Sequence, residues 1–191
     1  MEKAKIENRL LIIAGSAGSL EVILEVLPKI NIGFCLPIII VLHRKSDNDF
    51  LLQQLLSTKT YLKVKEAEEK DIIEPATIYI APADYHLLIE RDHSFSLDYS
   101  EKVNHSRPSI DVTFQSAADV YGKHLTCILL SGANSDGSNG LKYLKEKGGL
   151  AIVQQPESAL VPYMPQQAIL NNAADLVLDN QGIASYINSL C

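Results

Sequence analysis

Nothing in this chain approaches the roughly 20 consecutive apolar residues that a helix needs to cross a bilayer. No block of lysine and arginine stands out either, and 17 basic residues face 23 acidic ones for a formal net charge of −6. The first absence argues against membrane insertion, the second against nucleic acid as the main partner. Cysteine is scarce: Cys35 and Cys127 lie in apolar runs, and Cys191 is the last residue. No two of the three have metal-ligand spacing, and an odd count is a poor disulfide framework. The expectation is two buried thiols and one exposed thiol in a reducing compartment, the cytoplasm. The opening MEKAKIENRL is charged and lacks an apolar core, so it does not read as a secretory signal. Linkers, internal repeats and low-complexity stretches are also missing. The 191 residues therefore read as one domain, 1–191, of a size that buries about 70% of its unfolded surface.

What is present is a rhythm. LLIIAG (10–15), PIIIVLH (37–43), HLTCILLS (124–131) and LAIVQ (150–154) are continuous apolar runs, and DLVLD (175–179) is a shorter one. Helical patterns follow at 19–30, 47–57, 136–149, 164–173 and 182–190. Runs without alternation suit strands covered on both faces. Strand–helix alternation predicts an α/β fold: a doubly wound, mostly parallel sheet with helices on both faces. The middle differs. YLKVKEA, ATIYIAP and HLLIERDHSFSLDY alternate more, with a tight turn at Arg91–His93. They read as short strands and a small hairpin insertion at the sheet edge. RPSIDVTFQSAADVYG reads as a helix entered at Pro108, capped by Ser109 and ended by Gly122.

In open parallel sheets, ligands bind at the carboxyl ends of the strands. Three reactive side chains fall there. Ser16 follows the first strand, His43 ends the second, and Asp136 lies beyond the strand that closes near Ser131. A hydroxyl, an imidazole and a carboxylate on one rim are the parts of an acyl-transfer site. Serine needs a base to take its proton, histidine titrates near neutrality, and a carboxylate fixes the imidazole tautomer. Gly15 and Gly18 allow close approach around Ser16, and the helix that follows offers unpaired N–H groups to an oxyanion. Each residue also has a plainer reading. Ser16 could cap the helix, although Ser19, followed by Glu21, is the better cap candidate. His43 could be a hydrogen-bonded strand-end histidine, and Asp136 an N-cap, with Ser135 and Ser138 as competitors for that role.

His86 and His105 are further candidates that read more simply as solvated loop residues; His93 reads as a turn residue, and His124 opens a strand. The five histidines show no metal-site spacing, and KEAEEKD reads as a solvated face. GSAGSLE lacks the full glycine set of a dinucleotide turn, the second strand ends in His43–Arg44 rather than an acid, and no P-loop lysine follows. Ala14 replaces the first glycine of a lipase-type elbow. No cofactor is implied.

Six segments in order, from about Leu10 to Asn188, resemble the catalytic domain of the chemotaxis protein-glutamate methylesterases of CheB type. They are IIAGSAGS, IIIVLHR, EKDIIEPATIYIAPADYHLLI, RPSIDVTFQSAADVYG, LLSGANSDGSNGL and VQQPESALVPYMPQQAI. The resemblance implies a serine hydrolase that removes methyl esters from glutamate side chains of a methylated signalling protein or chemoreceptor, releasing methanol, and that also deamidates certain glutamines. It implies Ser16 as nucleophile, His43 as base and Asp136 as its partner. It further implies an oxyanion hole from the backbone N–H of Ala133 with that of Ala17.

Some positions depart from the family pattern. Ala17 stands where threonine is usual, Gly132-Ala133-Asn134 replaces Gly-Met-Gly, and Tyr163 precedes Met164 where glycine is common. These changes motivate an alternative, a non-catalytic binding module for receptor-like helices. Family members commonly carry a receiver domain upstream, whereas about ten residues precede the first strand here. The expectation is an enzyme that is either constitutive or controlled by a separate regulatory protein.

Overall fold

The computed structural model of the protein describes residues 9–44 and 49–191. The N-terminal stretch 1–8 and the start of the helix expected at 47–57 lie outside the described residues.

The strands are β1 (Leu10–Gly15), β2 (Ile38–Leu42), β3 (Lys63–Glu66), β4 (Thr77–Ile80), β5 (His86–Ile89), β6 (Phe95–Asp98), β7 (Leu125–Leu129), β8 (Leu150–Gln154) and β9 (Leu176–Leu178). The helices are α1 (Ser19–Val26), α2 (Asp49–Ser57), α3 (Ile110–Tyr121), α4 (Ser138–Glu146), α5 (Tyr163–Leu170) and α6 (Asn180–Asn188). Seven strands form one parallel sheet in the order β3-β4-β2-β1-β7-β8-β9. The chain winds outward from β1 to β2, then returns to the other side of β1 with β7. The switch point therefore lies between β1 and β7, where open sheets bind ligands.

The apolar runs are explained by burial on both faces. Along β1, Leu10, Ile12 and Ala14 enter one core layer, shared with apolar residues of α3, α4 and α5. Leu11 and Ile13 enter the other, shared with α1, α6 and Leu56 of α2. A strand with helices on each side has no solvent face, so alternation vanishes.

The more alternating segments 61–67 and 76–82 supply β3 and β4 at one end of this sheet. The hairpin β5–β6 is antiparallel, with His86 opposite Asp98, and forms a separate two-stranded sheet. It is held to α3 by the Thr113 hydroxyl, which donates to the Leu87 carbonyl at 2.9 Å, and by Ile89 N–H to Ser116 Oγ at 3.2 Å.

The expectation of three free thiols is corrected. Cys35 and Cys191 form a disulfide, with Cα atoms 6.1 Å apart across a sequence separation of 156. Helix α6 lies against α1, and Asn188 clamps the loop after it: its amide donates to the Lys29 carbonyl at 2.8 Å, and its Oδ1 accepts from Asn31 N–H at 2.8 Å. That docking carries the last residue to the loop before β2, a proximity that residue spacing cannot show. With it, the cysteine argument for a reducing compartment loses its footing. Cys127 is free and buried, and burial pushes its thiol pKa well up.

Candidate active site

The register of the sheet sets the rim. Gly15 pairs with Leu42 and Ala14 with Leu129, so β1, β2 and β7 end level. Ser16, His43 and the segment from Leu130 onward therefore leave the sheet side by side. Ser16 N–H donates to the Ser131 carbonyl at 2.9 Å, and His43 N–H to the Gly15 carbonyl at 3.2 Å. Gly15 is required here: a Cβ on it would stand 2.5 Å from Ser19 Cβ and 3.0 Å from the Ser131 carbonyl oxygen.

Neither serine of the β1–α1 turn caps the helix through its side chain. The N-cap is Gly18, at φ 80°, a conformation that favours glycine. Ser19, expected as the cap, is instead the first helical residue; it is buried, and its hydroxyl donates back to the Ser16 carbonyl at 2.5 Å. Ser16 and Ser19 line a cavity of about 390 Å³ together with His43, Leu20, Leu42 and the α2 residues Leu51, Leu52 and Leu55. Among the described residues no hydrogen bond joins Ser16 Oγ to the imidazole, and the N–H groups of Ala17 and Ala133 have no partner.

His43 Nε2 lies 2.8 Å from Asp136 Oδ2. An ionised carboxylate only accepts, so Nε2 carries the proton and Nδ1 presents the lone pair that a general base needs. Asp136 is fully buried. Besides His43, its Oδ2 accepts from Ile110 N–H at 2.7 Å. Its Oδ1 accepts from Asn104 Nδ2 at 2.9 Å, Ser109 Oγ at 2.9 Å and Asp111 N–H at 3.1 Å. Burial pushes its pKa up, but the bonds from His43, Asn104, Ile110 and Asp111 outweigh that and hold the carboxyl below its ordinary value.

Asp136 therefore does cap a helix, but not the one that follows it. Its carboxylate sits on the N-terminus of α3. Helix α4 has Gly137 as its N-cap residue, at φ 96°, with no side-chain cap. In exchange, Asp111 of α3 accepts from Gly137 N–H at 2.9 Å and Gly140 N–H at 2.6 Å, at the start of α4. Two buried carboxylates thus cap each other's helices. Asp111 ends above its ordinary pKa: burial raises it most, the Gly140 N–H lowers it and the Asp136 charge raises it. The Ser109 cap on α3 is as expected, with its Oγ accepting from Val112 N–H at 3.5 Å.

His86 is a correction: it is a buried β5 residue, not a solvated one. Its Nδ1 accepts from Ser109 N–H at 3.1 Å, and its Nε2 donates to the Glu101 carbonyl at 2.9 Å, so it secures the entrance to α3. His105 is exposed at the tip of a turn, and His93 sits in its turn at φ 62°.

Sequence reasoning assigned no role to Asn104, Ser106 or Asp111. Ser106 Oγ lies 3.4 Å from His43 Nδ1, on the basic side of the ring. Asp111 did leave a signal. It sits at one end of the 111–114–118–121 stripe, whose other members are buried and apolar, and a carboxylate on such a stripe needs a partner. Among the described residues there is no group of three or more His, Cys, Asp or Glu that could hold a metal ion, and no helix long and apolar enough to cross a membrane.

A doubly wound parallel sheet, with an imidazole backed by a buried acid and a serine-bearing turn on one cavity at its carboxyl rim, is the build of an α/β serine hydrolase. A family model described as CheB methylesterase matches residues 11–187. The chain belongs to the CheB methylesterase family. A Leptospira interrogans protein is 45% identical over 174 residues, which span 91% of this chain and 90% of that one. The protein-glutamate methylesterase/protein-glutamine glutaminase of Thermotoga maritima is 34% identical over 182 residues, 92% of this chain and 52% of that protein. The protein-glutamate methylesterase FrzG of Myxococcus xanthus is 36% identical over 169 residues, 88% of this chain and 51% of that protein. The chain thus spans about half the length of these last two. The crystal structure of the Thermotoga maritima CheB methylesterase catalytic domain superposes with a TM-score of 0.92 at 31% identity, covering 96% of this chain and 99% of that one.

Proposed function

We propose that this chain is a serine carboxylic-ester hydrolase that removes methyl esters from glutamate side chains of a chemoreceptor-like signalling protein, and that it deamidates glutamine by the same route. The observation that carries this reading is the family match from residue 11 to 187, joined to a 2.8 Å His43–Asp136 contact beside the Ser16 cavity. The same match favours an enzyme over a non-catalytic helix-binding module.

In this reading Ser16 Oγ attacks the ester carbonyl carbon while His43 Nδ1 takes its proton. The tetrahedral oxyanion is held by the N–H groups of Ala17 and Ala133, and Asp136 stabilises the imidazolium. Collapse breaks the carbon–methoxy bond, and the methoxy oxygen leaves as methanol with the proton from His43. Water, deprotonated by the same nitrogen, then releases free glutamate and regenerates Ser16. With a glutamine substrate the leaving group is ammonia.

The proposed substrate puts the chain in the cytoplasm. The Cys35–Cys191 pair runs against that placement, because reducing compartments keep such pairs open. Control by a separate regulatory protein belongs to the same proposal.

The test is methanol release from a methylated chemoreceptor, with a phosphonate probe as covalent reporter. Ser16→Ala is expected to lose turnover, on the order of 10⁴-fold or more, and the probe adduct, with an unchanged circular dichroism spectrum. Retained turnover or an adduct on another residue overturns the assignment.

A further inference from the structure

Residues 103–106 form a two-residue hairpin turn. Val103 N–H donates to the Ser106 carbonyl at 3.2 Å, and Ser106 N–H to the Val103 carbonyl at 2.9 Å. Asn104 and His105 at its centre both have positive φ, 51° and 62°, the pattern of a type I′ turn, in which asparagine is favoured. The turn is exposed, but the Asn104 side chain reaches inward and uses its amide nitrogen on two carboxylates. Nδ2 lies 2.9 Å from Asp136 Oδ1 and 2.9 Å from Asp111 Oδ2. A primary amide has two N–H bonds, so both are satisfied by this bridge.

The bridged pair is unusual in its charge. Asp136 and Asp111 are both buried and cap facing helices, so neither can turn away without orphaning backbone N–H groups. Among the described residues, the titratable groups facing Asp136 are His43, from the end of β2, and Asp111, from α3. His86, from the hairpin, bonds the N–H of Ser109, whose hydroxyl in turn bonds Asp136. Among the described residues that bond Asp136, the imidazole is the one basic group, while two carboxyl groups compete for protons. Like charges at such range raise each other's proton affinity unless donors stand between them.

We propose that Asn104 is a positioning residue: its amide stands between Asp136 and Asp111, keeps Asp136 ionised, and holds it aimed at His43. The inference rests on the triad roles proposed above and goes beyond them, since Asn104 touches no reacting atom. Without the amide, the two carboxyls face each other and Asp136 takes a proton more readily. The acid limb of activity then moves to higher pH.

Asn104→Gly removes the amide while keeping a residue suited to φ 51°. The expected result is kcat reduced roughly 10–100-fold with KM within about threefold, and the acid limb of kcat/KM raised by about half to one pH unit. Adding Asp111→Asn removes the competing charge and is expected to return the limb toward its original position. A residue that only anchors the turn would not produce that return. Carbon-13 titration of the Asp136 carboxyl, in wild type and in each variant, reads the same shift in the resting protein, without turnover. If wild-type protein releases no methanol but these titrations move as described, the hydrolase reading fails and the bridge stands. An unmoved limb and unmoved titrations in Asn104→Gly overturn the bridge, as does a double variant whose limb stays shifted.

Discussion

Asp136→Asn is the most informative single change, because the structure says which oxygen the new amide group must replace. Asp136 accepts five hydrogen bonds, from His43, Ile110 N–H, Asn104, Ser109 and Asp111 N–H. An NH₂ at the Oδ1 position would face three donors, of which only the Ser109 hydroxyl can rotate away. At the Oδ2 position it faces two, Ile110 N–H and the imidazole, and the imidazole can yield by moving its proton from Nε2 to Nδ1. The second placement leaves one buried N–H unpaired, costing about 1–3 kcal/mol, and reduces the surviving bonds from charged to neutral strength. The lower cost of burying a neutral group offsets part of this, leaving a net loss of roughly 2–4 kcal/mol. For a chain of this size that lowers Tm by about 5–15 °C, within the total stability of a typical domain. The consequence for activity is far larger. With the proton on Nδ1, the nitrogen proposed to accept the Ser16 proton is blocked, and a wrong tautomer in a serine hydrolase costs on the order of 10⁴ in kcat. Methanol release, a thermal melt and nitrogen-15 shifts of the His43 ring measure the three quantities. A folded variant with kcat within about tenfold of wild type, or with the ring proton still on Nε2, would falsify the tautomer argument.

Two further outcomes follow from the same contacts. The Asp136 carboxyl lies below its ordinary pKa because its hydrogen bonds outweigh burial, so it contributes stability above the unfolded-state value that is lost as pH falls through the lowered one. Asp111, raised chiefly by burial, acts in the opposite sense: its contribution is largest below the ordinary carboxylate value and declines as pH rises through the raised one. The difference in urea stability between wild type and Asp136→Asn should therefore narrow as pH falls from about 5 through the lowered value; an unchanged difference would contradict the assignment to Asp136. The Cys35–Cys191 bridge closes a long loop, with a separation of 156 residues. By loop entropy that closure stabilises by up to about 5 kcal/mol. Cys191→Ser should melt lower than wild type without reductant and equal to it with dithiothreitol; equal melting under both conditions would remove the bridge from the account.

The parts of the molecule that were legible in the sequence obey local rules. LLIIAG, PIIIVLH, HLTCILLS and LAIVQ became strands of the central sheet because a strand with helices on both faces needs apolar residues at every position. Parallel strands put Ser16, His43 and Asp136 on one rim, and the placement of β1 between β2 and β7 brings them near one another. Where β1, β2 and β7 end level, whatever follows them shares a rim.

What stayed hidden depends on pairings between distant segments. Capping signals are read within a few residues of a helix start, yet here Asp136 and Asp111 exchange helices, so the cap reading gave Asp136 the wrong helix and Asp111 none. The disulfide was hidden for the same reason, since the docking of α6 on α1 brings its halves together. The exchange of caps has a mechanistic consequence. A carboxylate that merely oriented His43 could shift when the imidazole became charged. One that also terminates α3 cannot, because moving it would strip acceptors from Ile110 N–H and Asp111 N–H in a dry interior. The start of α3 and the imidazole of His43 are thereby held by one carboxylate, and the rigidity of Asp136 comes from its second duty as a structural cap.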